Sequence, residues 1–107
     1  MSTTVKDYSS SISPGSVIKD YIIDGLNISV QELAAHLHVP ANRIYLIMQD
    51  KRDISVDTAI RLSYFLNMEP EFWLDLQTRH HIYKAGQHSD SITSDIIPLA
   101  QLTAVLA

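Results

Sequence analysis

Apolar positions recur along the chain at spacings of three and four, and short polar breaks between them carry proline, glycine or a capping side chain. That is the pattern of short amphipathic helices. Pro14 suits a first helical turn, where its missing N–H costs nothing. Val17, Ile18, Tyr21 and Ile22 follow as an inward stripe, and Gly25 closes the segment. Ser29 with Glu32 three residues on is a capping box, opening a second helix with Leu33, Ala34 and Leu37 turned inward. After a break at His38-Val39, Pro40 opens a third helix that buries Ile44, Ile47 and Met48. Gln49 to Asp53 reads as a loop. Ser55 caps a fourth helix carrying Ala59, Leu62 and Leu66, and Asn67 is its left-handed stop. Pro70 starts a fifth, with Phe72, Trp73, Leu76 and Tyr83, ending near Gly86. No period-two alternation competes, so the predicted class is all-α.

The expected organisation is a loose arm over residues 1–12, a five-helix domain over 13–86 and a tail over 87–107. The tail's Ile92, Ile96, Ile97, Leu99, Leu102 and Leu106 suit either a short helix after Pro98 or an extended segment laid on a partner. At 107 residues, 46% of them hydrophobic, the chain fits one compact domain with a real core. So small a domain buries a modest share of its surface, which makes a partner subunit unsurprising.

The absence of cysteine removes disulfides and thiolate chemistry and fits a reducing compartment. The start MSTTVKDYSS has no apolar signal segment, and Ile96 to Ala107 is too short to span a bilayer. A soluble, cytoplasmic protein with no membrane association is expected. A net charge of -4 argues against an indiscriminate nucleic-acid coat. The charge is uneven. Ser29 to Leu62 is neutral, with Arg43, Lys51, Arg52 and Arg61 against Glu32, Asp50, Asp53 and Asp57. From Ser63 onward the chain is acidic and suits a basic partner.

The informative pair is the second and third helices, joined by about three residues and hence sharply crossed. With Ile44, Ile47 and Met48 inward, the opposite face of the third helix holds Ala41, Asn42, Tyr45, Leu46 and Gln49, with Arg43 at its edge. Amides pair with adenine, arginine with guanine and aliphatic groups with thymine methyls in a major groove. Lys51 and Arg52 in the next loop are placed to meet phosphates. Gln31, at the start of the second helix, completes the DNA-contacting candidates.

The elements QELA, NRI, the Lys51-Arg52 loop, DTAIRL and PEFWLDLQ, with SPGSVIKDYI ahead of them, together resemble the HigA-type antitoxins of the repressor-like (XRE) helix-turn-helix family. The resemblance spans roughly residues 13–85. It implies a five-helix repressor-like domain whose third helix enters the major groove. That role falls on Ala41, Asn42, Arg43, Tyr45 and Leu46. It further implies a homodimer that binds a palindromic operator, represses its own operon and neutralises a small basic ribonuclease toxin. His38 stands where the family often has glycine, Gln49-Asp50 where Asn-Gly is common, and Val30 where glutamine is frequent. The dimer surface is expected on Leu76, Ile82, Tyr83, Ile97 and Leu99.

Two rivals stay open: a solitary helix-turn-helix regulator without a toxin, and a protein–protein adaptor of the same fold. No phosphate loop, nucleophile–base set or paired-acid motif appears in the sequence, so neither enzymatic activity nor a cofactor is expected. His80 and His81 are adjacent on a helix and point apart, which disqualifies them as joint metal ligands. His36 and His38 fail similarly if both are helical.

Overall fold

A computed structural model describes residues 12–106, with side chains through Leu102. The expected loose arm lies outside the described residues except for Ile12. Among the described residues seven helices follow one another: α1 (Pro14–Val17, continuing as a wider π-helical stretch Ile18–Asp24), α2 (Val30–Leu37), α3 (Ala41–Met48), α4 (Val56–Leu66), α5 (Pro70–Gly86), α6 (Ser89–Thr93) and α7 (Leu99–Leu106). Among the described residues there is no strand, and no helix is long and apolar enough to cross a membrane.

The helix starts follow from local chemistry. The Ser29 hydroxyl accepts from the Glu32 backbone N–H at 3.0 Å, and the Glu32 carboxylate accepts from the Ser29 N–H at 2.8 Å. Two orphan donors are thereby satisfied. Ser55 accepts from the Thr58 N–H at 3.1 Å, opening α4. Ser13 and Ser16 form a second box around Pro14 at the start of α1. Helix ends use left-handed residues: His38 closes α2 at φ 57 and Asn67 closes α4 at φ 56. Asn27, at φ 54, turns the chain after α1. Gly25, at φ −68, does not serve as a left-handed stop.

The core gathers Ile18, Ile22, Leu33, Ala34, Leu37, Ile44, Ile47, Ile54, Ala59, Leu62 and Trp73, all buried. Met48 and Leu66 pack against it. Two inward expectations fail. Tyr21 is 73% exposed, because the wide turns of the π stretch keep Ile18 and Ile22 on one face and rotate the residue three positions on away from it. Phe72 is also exposed; it sits edge-on to Trp73 with centroids 5.1 Å apart, at the rim of the core.

Gly15 is required by packing. A Cβ there would lie 2.2 Å from the Ile47 carbonyl oxygen and 2.8 Å from Asp50 Oδ1. The start of α1 thus rests directly on the backbone at the end of α3, and this contact sets the inclination of α3 to the core.

The tail adds two helices to the five expected. Its helix after Pro98 is the first of the two conformations the sequence allows. Every residue from Lys84 to Leu102 is exposed, so this stretch takes no part in the core. Of the expected dimer-surface residues, Ile82, Ile97 and Leu99 are exposed and Leu76 and Tyr83 half-buried.

Candidate nucleic-acid interface

The break between α2 and α3 is three residues, His38 to Pro40. Its sharpness depends on the left-handed backbone of His38, which costs a non-glycine residue about 1–2 kcal/mol. Two backbone bonds offset part of that cost, from His38 N–H to the Ala35 carbonyl at 3.2 Å and from Val39 N–H to the Ala34 carbonyl at 3.0 Å. Asp50, at φ 58, plays the matching part after α3. Glycine would take the same backbone at either position without the steric cost that His38 and Asp50 bear.

With Ile44 and Ile47 buried, α3 leaves Asn42 and Tyr45 exposed, Gln49 follows exposed at its C-cap, and Ala41 and Leu46 are half-buried at the margins of that face. Gln31 at the start of α2 joins the same surface: its amide donates to the Tyr45 hydroxyl at 3.2 Å across the crossing. The Tyr45 hydroxyl keeps its own proton to donate and the Gln31 carbonyl keeps its capacity to accept.

Arg43 is placed differently from its neighbours. Its side chain is only 25% exposed and leans on the first turn of α4, with Nη1 3.5 Å from both Asp57 Oδ2 and Thr58 Oγ1. Its Nε is buried without a partner. Asp57 is shared: Arg61 Nε reaches the same oxygen at 2.9 Å, and Arg61 Nη1 donates to the Leu37 carbonyl at 2.9 Å. That carbonyl belongs to the last turn of α2, where helices leave acceptors unmet. One chain of contacts, Leu37–Arg61–Asp57–Arg43, therefore fixes α2 and α3 to α4.

The loop after α3 is anchored as firmly. Gln77 on α5 accepts from the Ile54 N–H at 2.7 Å and donates to the Ile54 carbonyl at 3.0 Å. His81 Nε2 lies 2.9 Å from Asp53 Oδ1. Lys51 and Arg52 are exposed at the tip. No carboxylate comes within 4 Å of either among the described residues. Three of the four acidic side chains of this half are engaged elsewhere: Asp57 by two arginines, Asp53 by His81, Glu32 by its cap. The Ser29 backbone N–H, and then its hydroxyl, hold the Glu32 carboxyl below the usual carboxylate range.

Gln31, Ala41, Asn42, Tyr45, Leu46 and Gln49 thus share one outward surface, Lys51 and Arg52 stand on the loop that follows, and Arg43 is drawn away toward α4. The residues missing from the sequence reading are Arg61, Gln77 and His81. The Asp57–Arg61 spacing of four was a visible signal for one of them. The other two bond partners 23 and 28 positions away, which no local pattern reveals.

No protein-family model matches the chain. Virulence-associated protein I of Dichelobacter nodosus is 35% identical over 89 residues, 83% of this chain and 82% of that protein. The solved antitoxin HigA of Pseudomonas aeruginosa with the higBA promoter superposes with a TM-score of 0.78 at 31% identity, over 84% of this chain and 99% of that one. An addiction module antidote protein of a HigA family from Coxiella burnetii gives 0.75 at 34% identity, over 82% and 96%.

Proposed function

Because the chain belongs to the HigA-type antitoxins of the helix-turn-helix family, we propose that it is a sequence-specific repressor that binds a palindromic operator of its own operon as a homodimer and neutralises a small basic ribonuclease toxin. The observation that carries the DNA half is the composition and rigidity of one surface. Asn42, Tyr45, Gln49 and Gln31 present amide and hydroxyl groups for base edges. Ala41 and Leu46 offer apolar contacts to thymine methyls. Lys51 and Arg52 meet phosphates and set register. Arg43, already satisfied in part by Asp57, reaches a base or phosphate only by leaving that carboxylate, so its contribution is the smaller one. A homologue solved with promoter DNA supports this reading.

The toxin half rests on family membership and on charge. The α6–α7 extension, exposed through Leu102, carries Asp90 and Asp95 with no lysine or arginine, which complements a basic protein. Fluorescence anisotropy with a duplex from upstream of the gene, against a scrambled duplex, tests the DNA half. Tight binding to the upstream duplex alone, weakening steeply with salt, is expected. Equal affinity for both duplexes removes the operator assignment, and no binding to either leaves the adaptor reading. Co-expression with the neighbouring reading frame tests the toxin half. Co-purification and rescued growth are expected, and a neighbour that is neither toxic nor bound leaves a solitary regulator.

A further inference from the structure

Arg43 stands between two surfaces that attract its charge. It follows Asn42 on α3, beside the outward face, yet its guanidinium rests on the first turn of α4. The fit there is imperfect. Nη1 lies 3.5 Å from Asp57 Oδ2 and 3.5 Å from Thr58 Oγ1, well beyond the roughly 2.7–2.9 Å of a strong charge-assisted bond. Nε is buried without a partner, and an unmet buried donor favours any arrangement that satisfies it. The docked guanidinium is held without being satisfied.

The groups that hold it lose little when it leaves. Arg61 Nε reaches the same Asp57 oxygen at 2.9 Å and keeps the carboxylate paired. The Ser55 hydroxyl donates to Thr58 Oγ1 at 3.2 Å. Arg61 is itself tied down, because its Nη1 donates to the Leu37 carbonyl at 2.9 Å, and leaving would strand that acceptor at the end of α2. Of the two cations on Asp57, one is anchored and the other is free to exchange. The carboxylate therefore competes with DNA for a single guanidinium, and the long 3.5 Å contact makes the competition a close one.

We propose that Asp57 is a positioning residue that sets DNA affinity through Arg43. In the free protein it keeps the guanidinium against α4. On a duplex Arg43 passes to a backbone phosphate, Nε gains an acceptor, and Asp57 remains with Arg61. A phosphate is the recipient because Arg43 lies at the edge of the α3 face, where a helix seated in the groove is flanked by backbone, and Nε with an Nη forms the fork that matches two phosphate oxygens. The proposal rests on the DNA-binding reading above and adds to it a residue that acts without touching DNA.

Anisotropy titrations of the full chain with operator and scrambled duplexes, across a range of salt, test it in Arg43→Met, Asp57→Asn, Asp57→Glu and the Arg43→Met/Asp57→Asn double variant. Urea titration verifies the fold of each. Arg43→Met should weaken both duplexes several-fold and lower the salt slope by about 1. Asp57→Asn should tighten both by about 2- to 5-fold, the range of an exposed ion pair. That gain should vanish when residue 43 is methionine, and Asp57→Glu should return affinity to near wild type. In the wild type, where no variant has to fold, the Arg43 Nε–H resonance should shift when duplex is added. A gain that persists in the double variant belongs to the lost negative charge alone and overturns the proposal, as does Asp57→Asn binding no tighter than wild type. An unchanged salt slope in Arg43→Met, or an unmoved Nε–H signal, shows a guanidinium that stays docked and overturns it too. Weakening by Arg43→Met on the operator alone replaces the phosphate with a base and overturns the transfer as stated. In each of these cases the wild type still binds its operator, so the DNA reading survives; a wild type that binds neither duplex removes both.

Discussion

Replacing Gln77 with alanine removes one of the two attachments to α5 of the loop that carries Lys51 and Arg52, leaving the contact of His81 with Asp53. Two hydrogen bonds are lost, to the Ile54 N–H at 2.7 Å and to its carbonyl at 3.0 Å. Each contributes about 1 kcal/mol net. Ile54 is 2% exposed, so its N–H has little access to water, and the unmet donor adds to the cost. The expected loss of stability is about 2–3 kcal/mol, a fall in Tm of roughly 10 °C or more for a domain of this size. Urea titration measures it directly. The second effect is on DNA: at a temperature where the variant remains folded, operator affinity should fall several-fold. The slope of log affinity against log salt should shrink by up to about 2 if Lys51 and Arg52, whose fixed position is lost, meet phosphates as proposed. A Gln77→Ala protein within about 0.5 kcal/mol of wild type, with an unchanged salt slope, would refute the view that α5 holds this loop.

Three further outcomes follow from the same geometry. Gly15→Ala pushes a methyl group into the Ile47 carbonyl and should destabilise the fold by about 1–3 kcal/mol in chemical denaturation, with hydrogen exchange rising at the end of α3. His38→Gly relieves a left-handed backbone and should stabilise by up to about 1 kcal/mol, the reverse of the usual glycine effect; a loss of stability would show that the imidazole contributes something the geometry does not record. The lowered pKa of Glu32 means its capping contribution is complete above the carboxyl's ordinary value and lost as pH falls through the folded one. Glu32→Gln should therefore flatten stability against pH on the acid side and leave its shape near neutrality unchanged.

The parts of the fold legible in the sequence are those whose cause is local. Ser29 with Glu32, Ser55, Pro14 and Pro70 mark helix starts because a cap or a proline acts within three or four residues. Asn67 and His38 mark ends because few residues accept a left-handed backbone. Tyr21 misled because the inward stripe presupposes 3.6 residues per turn, and α1 widens just before it. Phe72 misled because an aromatic residue beside a buried tryptophan scores as core whichever way it points. The outward face of α3 followed from the inward one by subtraction, so most of the candidate interface was readable. Arg43 was the exception. Its place depends on Asp57 and Thr58, fourteen and fifteen positions on, and on their competition with solvent for one guanidinium. The supports of the interface, Arg61 on the Leu37 carbonyl and Gln77 on Ile54, join residues 24 and 23 positions apart. Only the folded chain brings them together.

Operator titrations of Asn42→Ala and Lys51→Ala across a range of salt test most directly whether the outer side of α3 reads DNA. Asn42→Ala should cost about 1–3 kcal/mol on the operator, leave binding to scrambled duplex unchanged and keep the salt slope. Lys51→Ala should weaken both duplexes alike and lower the slope by about 1. Identical behaviour of the two variants, or full operator affinity in the Asn42 variant together with Tyr45→Ala and Gln49→Ala, would contradict the account.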